Sequence, residues 1–355
     1  MNLQINQKHL KIWFDVLTPK QILFFEPMIN KLGKKHRVVC TSRRYREVSQ
    51  LAKIRKMSLT FVGSHGGKEK FHKLKASLSR MNELTKIIIK FSPDITVSFC
   101  SPEAARISYG LGIKHIAFSD SPHAEAVMRL TVPLVNRLLI PWIIPKKEFT
   151  KFGIPKSKIK QYKAIDASII VKGKARNSTL SRLKNSKKRI LLIRTYESQA
   201  SYAQDKEFQI IPIIQKITYA FSDYNVVLLG RYSKQIKKLK NQFGKKITIL
   251  NNVVDSNQVL SRTDVFIGSG GTMTAEAALK GIPTISYNAV PNLVENYLVK
   301  KGLINREESP NKIIQLIGKL LKSNKTKFKK KAKVELSKME DPYIKLLETI
   351  QSITE

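Results

Sequence analysis

The chain has 355 residues, with 65 lysines and arginines against 26 aspartates and glutamates, a formal net charge of +39 and two cysteines. That length suits two domains of roughly 150 to 200 residues, each able to bury its own core; at 42% hydrophobic residues the chain is no disordered basic tail. Two cysteines exclude a disulfide scaffold, no Cys-x-x-Cys pair offers a zinc site, and the charge asks for an anionic partner without choosing which.

The first fifteen residues lack the apolar stretch of a signal peptide. Short β-branched runs then alternate with amphipathic stretches. Residues 11–16 (KIWFDV) read as a strand, 21–32 as a helix stopped by Gly33, and 37–40 and 59–62 as strands. A long basic helix over 68–90 ends at the Ser92-Pro93-Asp94 turn. A strand at 95–99, a helix at 102–111 with proline in its first turn, and a strand at 113–118 follow. Residues 132–145 (VPLVNRLLIPWIIP) come nearest to a membrane span, but Asn136, Arg137 and three prolines break them and they are too short. A cytoplasmic protein is expected, at most peripheral at the inner face of a membrane. Cys40 and Cys100 fall in or beside strands and read as small buried hydrophobes.

The Lys/Arg/Ser-rich stretch 172–188 reads as an exposed connection to a second series. Strands are expected at 189–193, 225–229, 247–250, 264–267 and 283–287, with helices at 208–221, 234–240 and 272–280 between them. From about Asn311 the chain is helical and basic, and its last helix, 342–353, is acidic enough to pack back on a basic body. The α/β pattern predicts two Rossmann-like domains with parallel sheets, residues 1–171 and 172–335, and a C-terminal helix, 336–355, returning to the first domain. A ligand cleft between the domains, at the carboxyl ends of the strands, is the expected site.

The strongest motif is Ile267-Gly-Ser-Gly-Gly-Thr-Met-Thr-Ala-Glu276, which runs from a strand into a helix. Its glycines, Gly270 and Gly271 among them, let backbone approach a ligand, and Ser269 or Thr272 can cap the helix. The free N–H groups of that helix suit a phosphate or diphosphate. Glu276, about one turn further in, can accept two ribose hydroxyls. The plainer alternative is a tight turn with ordinary capping. It is not a P-loop, because no Gly-Lys-Ser/Thr follows. Arg194 and Arg231, at the ends of the 189–193 and 225–229 strands, can neutralise a diphosphate leaving group. In the first domain, Thr18, the His65-Gly66-Gly67 loop and Glu103 sit at strand ends as cleft-loop candidates. Asp120, His123 and Glu125 follow the 113–118 strand, three titratable groups within six positions. They are the best acid/base candidates, with His65 in reserve.

At these motifs the sequence resembles the domain-of-unknown-function family numbered 354, which is similar to GT-B nucleotide-sugar enzymes. The matching stretches are 11–19 with Phe25, Ser64-His65-Gly66-Gly67, 101–106 (SPEAAR), Asp120 with Pro122-His123-Ala124, and Gly270-Gly271-Thr272-Met273. The resemblance implies a GT-B-like fold with an interdomain nucleotide-sugar cleft and brings no reaction of its own. More distantly the chain resembles non-hydrolysing UDP-N-acetylglucosamine 2-epimerases, through His123-Ala-Glu125-Ala and Ser269-Gly270-Gly271 with Glu276. That match implies Glu125 as an acid/base and Glu276 as a ribose ligand. The epimerases' His-Arg-Arg-Glu segment reads Arg194-Thr-Tyr-Glu197 here, and their Gly-Asp reads Cys100-Ser-Pro-Glu103. Both departures favour a transferase over an epimerase.

The expected function is therefore a metal-independent, hexosyltransferase-like glycosyltransferase. It would use a nucleoside diphosphate sugar (a UDP-sugar by the epimerase resemblance) as donor and no separate cofactor. The acceptor is a hydroxyl, on a lipid-linked or surface glycan if the basic coat meets an anionic membrane. An isomerase of sugar nucleotides is the alternative. A non-catalytic nucleic-acid binder is the second alternative; no RNA-binding aromatic signature or zinc knuckle supports one, so no specific nucleic acid is expected.

Overall fold

The computed structural model describes residues 9–67, 69–176, 188–195, 210–230, 233–250, 253–290 and 292–355. Contacts divide the chain into two units, one running to Tyr162 and taking in Asp341–Glu355, the other Lys163–Glu340.

The first unit contains β1 (Lys11–Asp15), α1 (Pro19–Leu32), β2 (Arg37–Arg44), α2 (Arg46–Arg55), β3 (Thr60–Ser64), α3 (Lys70–Phe91) and β4 (Ile95–Ser98). It continues with α4 (Pro102–Gly110), β5 (Lys114–Phe118), α5 (Glu125–Thr131), β6 (Arg137–Pro141), α6 (Lys147–Thr150) and β7 (Ile159–Tyr162). The seven strands form one parallel sheet in the order β3-β2-β1-β4-β5-β6-β7. Strands covered on both faces must be apolar on both, and Ile12, Trp13 and Phe14 are all fully buried. One face carries edge-to-face rings of Phe14, Phe24, Phe25 and Phe118; on another cluster Trp13 packs with Leu84 and Ile88 of α3. The apolar stretch 132–145 contains β6, whose Leu138, Leu139 and Ile140 are fully buried in the sheet. Its hydropathy is that of a central strand. Among the described residues no helix is long and apolar enough to cross a membrane.

The second unit opens with α7 (Asp166–Lys172), then β8 (Ile190–Arg194), α8 (Ile211–Ala220), β9 (Asn225–Leu229), α9 (Ser233–Phe243), β10 (Thr248–Leu250) and α10 (Ser256–Leu260). Next come β11 (Val265–Gly268), α11 (Thr272–Leu279), β12 (Thr284–Ser286), α12 (Leu293–Lys300), β13 (Asn305–Arg306), α13 (Pro310–Lys322) and α14 (Lys325–Ser337). Its sheet is also parallel, in the order β10-β9-β8-β11-β12-β13. Side chains alternate across it, so Leu191 and Ile193 enter one core while Ile190 and Leu192 enter the other. The last helix, α15 (Pro342–Thr354), packs against β5, β6 and β7 of the first unit and buries Leu346 and Ile350. Lys31 donates to Asp341 at its start, 2.8 Å away.

The first division falls between Tyr162 and Lys163 because β7 is hydrogen-bonded into the first sheet, whereas α7 packs on α11 of the second. Most of the Lys/Arg/Ser-rich connection lies outside the described residues.

Candidate functional site

In an open parallel sheet the ligand crevice forms where successive crossovers diverge to opposite sides. The strand orders put that point between β8 and β11 in the second unit and between β1 and β4 in the first.

In the second unit β11 ends in Gly268, and the chain turns through Gly270 and Gly271, at φ +78° and +79°. A Cβ on Gly270 would lie 2.9 Å from the Ala289 Cβ and 3.3 Å from the Glu295 Oε2, so backbone alone fits there. The α11 helix starts with Gly271 as its N-cap, and no side chain caps it. Neither Ser269 nor Thr272 takes the capping role the sequence offered them. The Thr274 hydroxyl donates instead to the Gly270 carbonyl at 2.8 Å. The first N–H groups of α11 are thus left to the positive end of the helix, the arrangement that suits an anion.

Glu276 lies one turn into α11 and is 3% exposed. Among the described residues its Oε2 has no hydrogen-bond partner. Burial pushes its carboxyl up to about 7, partly offset by the Ser256 hydroxyl, Lys280 and Arg194, while Asp255 pushes it further. Asp255 is itself committed, capping α10 by accepting from Asn257 N at 2.9 Å and taking the Arg176 amide at 3.1 Å. Arg194, at the end of β8, donates to the carbonyls of Leu229 and Gly230 at 3.4 and 3.2 Å. Gly270, Gly271, Thr272, Glu276 and Arg194 therefore belong to one switch point. Arg231 and Glu197 lie outside the described residues.

In the first unit the residues at the switch point are tightly bonded to one another. Thr18 is the N-cap of α1, accepting from Gln21 N at 3.3 Å, and Leu17 N donates to the Gln21 Oε1 at 2.6 Å. Asp15, at the end of β1, is fully buried and takes both Nη groups of Arg80 at 2.6 and 3.1 Å. The hydroxyls of Thr41 and Ser101 also donate to it, at 2.7 and 2.6 Å. Burial alone would raise the Asp15 carboxyl; the Arg80 charge and these donors overcome that and hold it below its usual range. Glu103, also buried, lies 3.6 Å from Arg80. Ser101 follows Cys100, whose backbone is left-handed at φ +49°.

The sequence reading missed Asp15 and Arg80. The available signal was Arg80 on the same helical spacing as the apolar Leu84 and Ile88, which marks a charge turned inward. Gly66 sits so close to α3 that a Cβ would meet the Lys73 Cα at 2.6 Å, and His65 accepts from Gly67 N at 3.0 Å while stacking on Tyr45. Asp120 pairs with Lys20 at 2.5 Å and accepts from the Ser121 hydroxyl. His123 is partly exposed; burial holds its imidazole below its ordinary value, Lys20 adding to this and Asp120 opposing it. Glu125 points to water from α5, paired with Arg129 at 2.7 Å. Both cysteine thiols are pushed up to about 12 by burial, which leaves them inert.

A family model described as Protein of unknown function (DUF354) matches residues 10–355. The chain belongs to that family. A relative outside the solved structures, the uncharacterized protein MJ0665 of Methanocaldococcus jannaschii, is 27% identical over 327 residues, covering 87% of this chain and 91% of that protein. This DUF354 chain also superposes on the UDP-GlcNAc 2-epimerase of Neisseria meningitidis bound to UDP-GlcNAc. The TM-score is 0.72 at 14% identity, covering 97% of this chain and all of that one (100%). The spinosyn forosaminyltransferase SpnP gives a TM-score of 0.65 at 11% identity, with coverage of 98% and 100%. At such identities the likeness shows the fold, and it places the DUF354 chain in the GT-B-like class of two parallel-sheet units.

Proposed function

We propose that this protein is a glycosyltransferase that takes a nucleoside diphosphate sugar at the glycine turn of its second unit. The observation that carries the reading is Glu276: a buried carboxylate with an oxygen that finds no partner among the described residues, one turn inside a helix whose N–H groups no side chain caps. A diphosphate answers the helix end, and ribose hydroxyls answer the carboxylate. Helix N–H groups and Arg194 would stabilise the departing diphosphate, and removing one such donor costs about 3 kcal/mol. Similarity of fold to an epimerase bound to UDP-GlcNAc supports the choice of ligand. The first unit would supply the proton acceptor, His123 or Asp120. His123 suits the role because its lowered value keeps it neutral near pH 7.

The epimerase reading stands second, favoured by the fold likeness to an epimerase bound to UDP-GlcNAc. Against it, Glu125, the acid/base which that resemblance implies, is bound to Arg129 at the surface. The test is a thermal-shift panel of uridine, guanosine, cytidine and thymidine diphosphates and their sugars. At least one should stabilise the native chain, and Glu276→Gln should lose that shift; an equal shift in the variant would overturn the site. Isomerisation of the stabilising sugar nucleotide without acceptor would replace the transferase by the epimerase.

A further inference from the structure

The α3 helix presents an apolar stripe to solvent. Phe71, Leu74 and Leu78 are 69%, 59% and 52% exposed, and their spacing of three and four residues sets them on one helix face. Ile89, 59% exposed, lies eighteen residues beyond Phe71, five helical turns, and so on the same face. The opposite face is spent on the core through Arg80, Leu84 and Ile88. The exposed stripe is therefore surplus to folding, and isolated exposed leucines need no explanation while an aligned row does.

The charge beside the stripe selects the occupant. Lys70, Lys75, Lys86 and Lys90 are exposed on this helix, and Glu83 is its single acid. Lys75 stands one turn from both Phe71 and Leu78, so an ammonium flanks the rings and methyls directly. A second copy of the chain would bring the same lysines, and another net charge of +39, against this face. An anionic bilayer surface reverses that sign: its headgroups meet the lysines while Phe and Leu enter the acyl boundary, as for basic amphipathic helices lying in an interface. We infer that α3 is a membrane-docking helix, lying in the surface of an anionic lipid leaflet through Phe71, Leu74, Leu78 and the flanking lysines. The inference does not rest on the sugar-nucleotide reading.

The experiment is co-sedimentation of the full chain with phosphatidylcholine vesicles and with vesicles containing phosphatidylglycerol, at low and high salt. Binding should need the anionic lipid and weaken with salt. Phe71→Gln/Leu74→Gln/Leu78→Gln, exposed positions with a good helix former introduced, should bind about tenfold or more weakly, given the apolar area withdrawn. Its thermal unfolding should match the native chain. A control that neutralises Lys329, Lys330 and Lys333 on α14 separates a site from the general charge coat. Equal losses in the control and the triple variant, undiminished binding by the triple variant, or a native dimer that the triple variant makes monomeric would each overturn the assignment.

Discussion

A carboxylate oxygen that finds no donor inside a protein is held there at a cost, and among the described residues Glu276 Oε2 is such an oxygen. Its folded value, about 7, lies above the ordinary 4.5. The folded chain therefore binds more protons than the unfolded one between those limits, and the stability linked to this group is complete below 4.5 and lost as pH rises through 7. At about 1.4 kcal/mol per pH unit, Glu276→Gln should be some 3–4 kcal/mol more stable than the native chain at pH 8 and level with it near pH 4. The buried His115, pushed down to about 3 by burial, acts in the opposite direction at acid pH. The quantity to read is thus the native–variant difference in denaturant midpoint across pH; a constant difference would refute the argument. Asp15 and Arg80 make the converse case. Both are buried and satisfied, so removing either strands the other's charge, and Asp15→Asn should cost about 3–5 kcal/mol in urea unfolding. A loss within 1 kcal/mol would mean, on the same scale, that water reaches the pair.

At the scale of the element, the turn between β11 and α11 works because two successive glycines adopt backbone that other residues avoid. At Gly271, with φ +79° and ψ −174°, an alanine meets no neighbour, and Gly271→Ala should cost about 1–3 kcal/mol from backbone strain alone. At Gly270 the collision with Ala289 is added, so Gly270→Ala should cost more. Gly318 reverses the sign: it sits inside α13 with open space and helical backbone, and Gly318→Ala should stabilise by about 0.5–1 kcal/mol. Thermal melts of the three variants check the order. The turn was legible in the sequence because a strand, a glycine cluster and an amphipathic helix leave local marks. Strands β1 to β5 and β8 to β12 were legible for the same reason, whereas β6, β7 and β13 were not read as strands, β6 lying inside the apolar stretch 132–145 weighed as a membrane span. The α2 helix was not, since only Val48, Leu51, Ala52 and Arg55 are buried in it and its charged residues mask the period. Nor was the Asp15–Arg80 pair, which joins residues sixty-five positions apart that only the packing of α3 on the sheet brings together. Glu276 could be flagged by spacing, but its missing partner is a property of the packed interior.

At the scale of the molecule, the chain leaves its first unit at Tyr162, builds the second, and returns at Asp341 to finish the first. The first unit therefore depends on residues that follow the whole of the second in the chain, whereas the second is one continuous segment. The dependence is physical: α15 lays Leu346 and Ile350 against a sheet whose β6 and β7 strands would otherwise meet water on that face. Burial of two such side chains contributes about 3–5 kcal/mol. Lys31 to Asp341 adds little, being half in solvent. A chain ended at Glu340 should consequently lose about that much stability in the first unit alone. Tryptophan fluorescence reads it selectively, because Trp13 and Trp142 both lie in that unit. Their transition should move to lower denaturant, while amide protection of β8, β9 and β11 should be unchanged. A shift of both together would show that α15 stabilises the whole chain as one cooperative body rather than the sheet it covers.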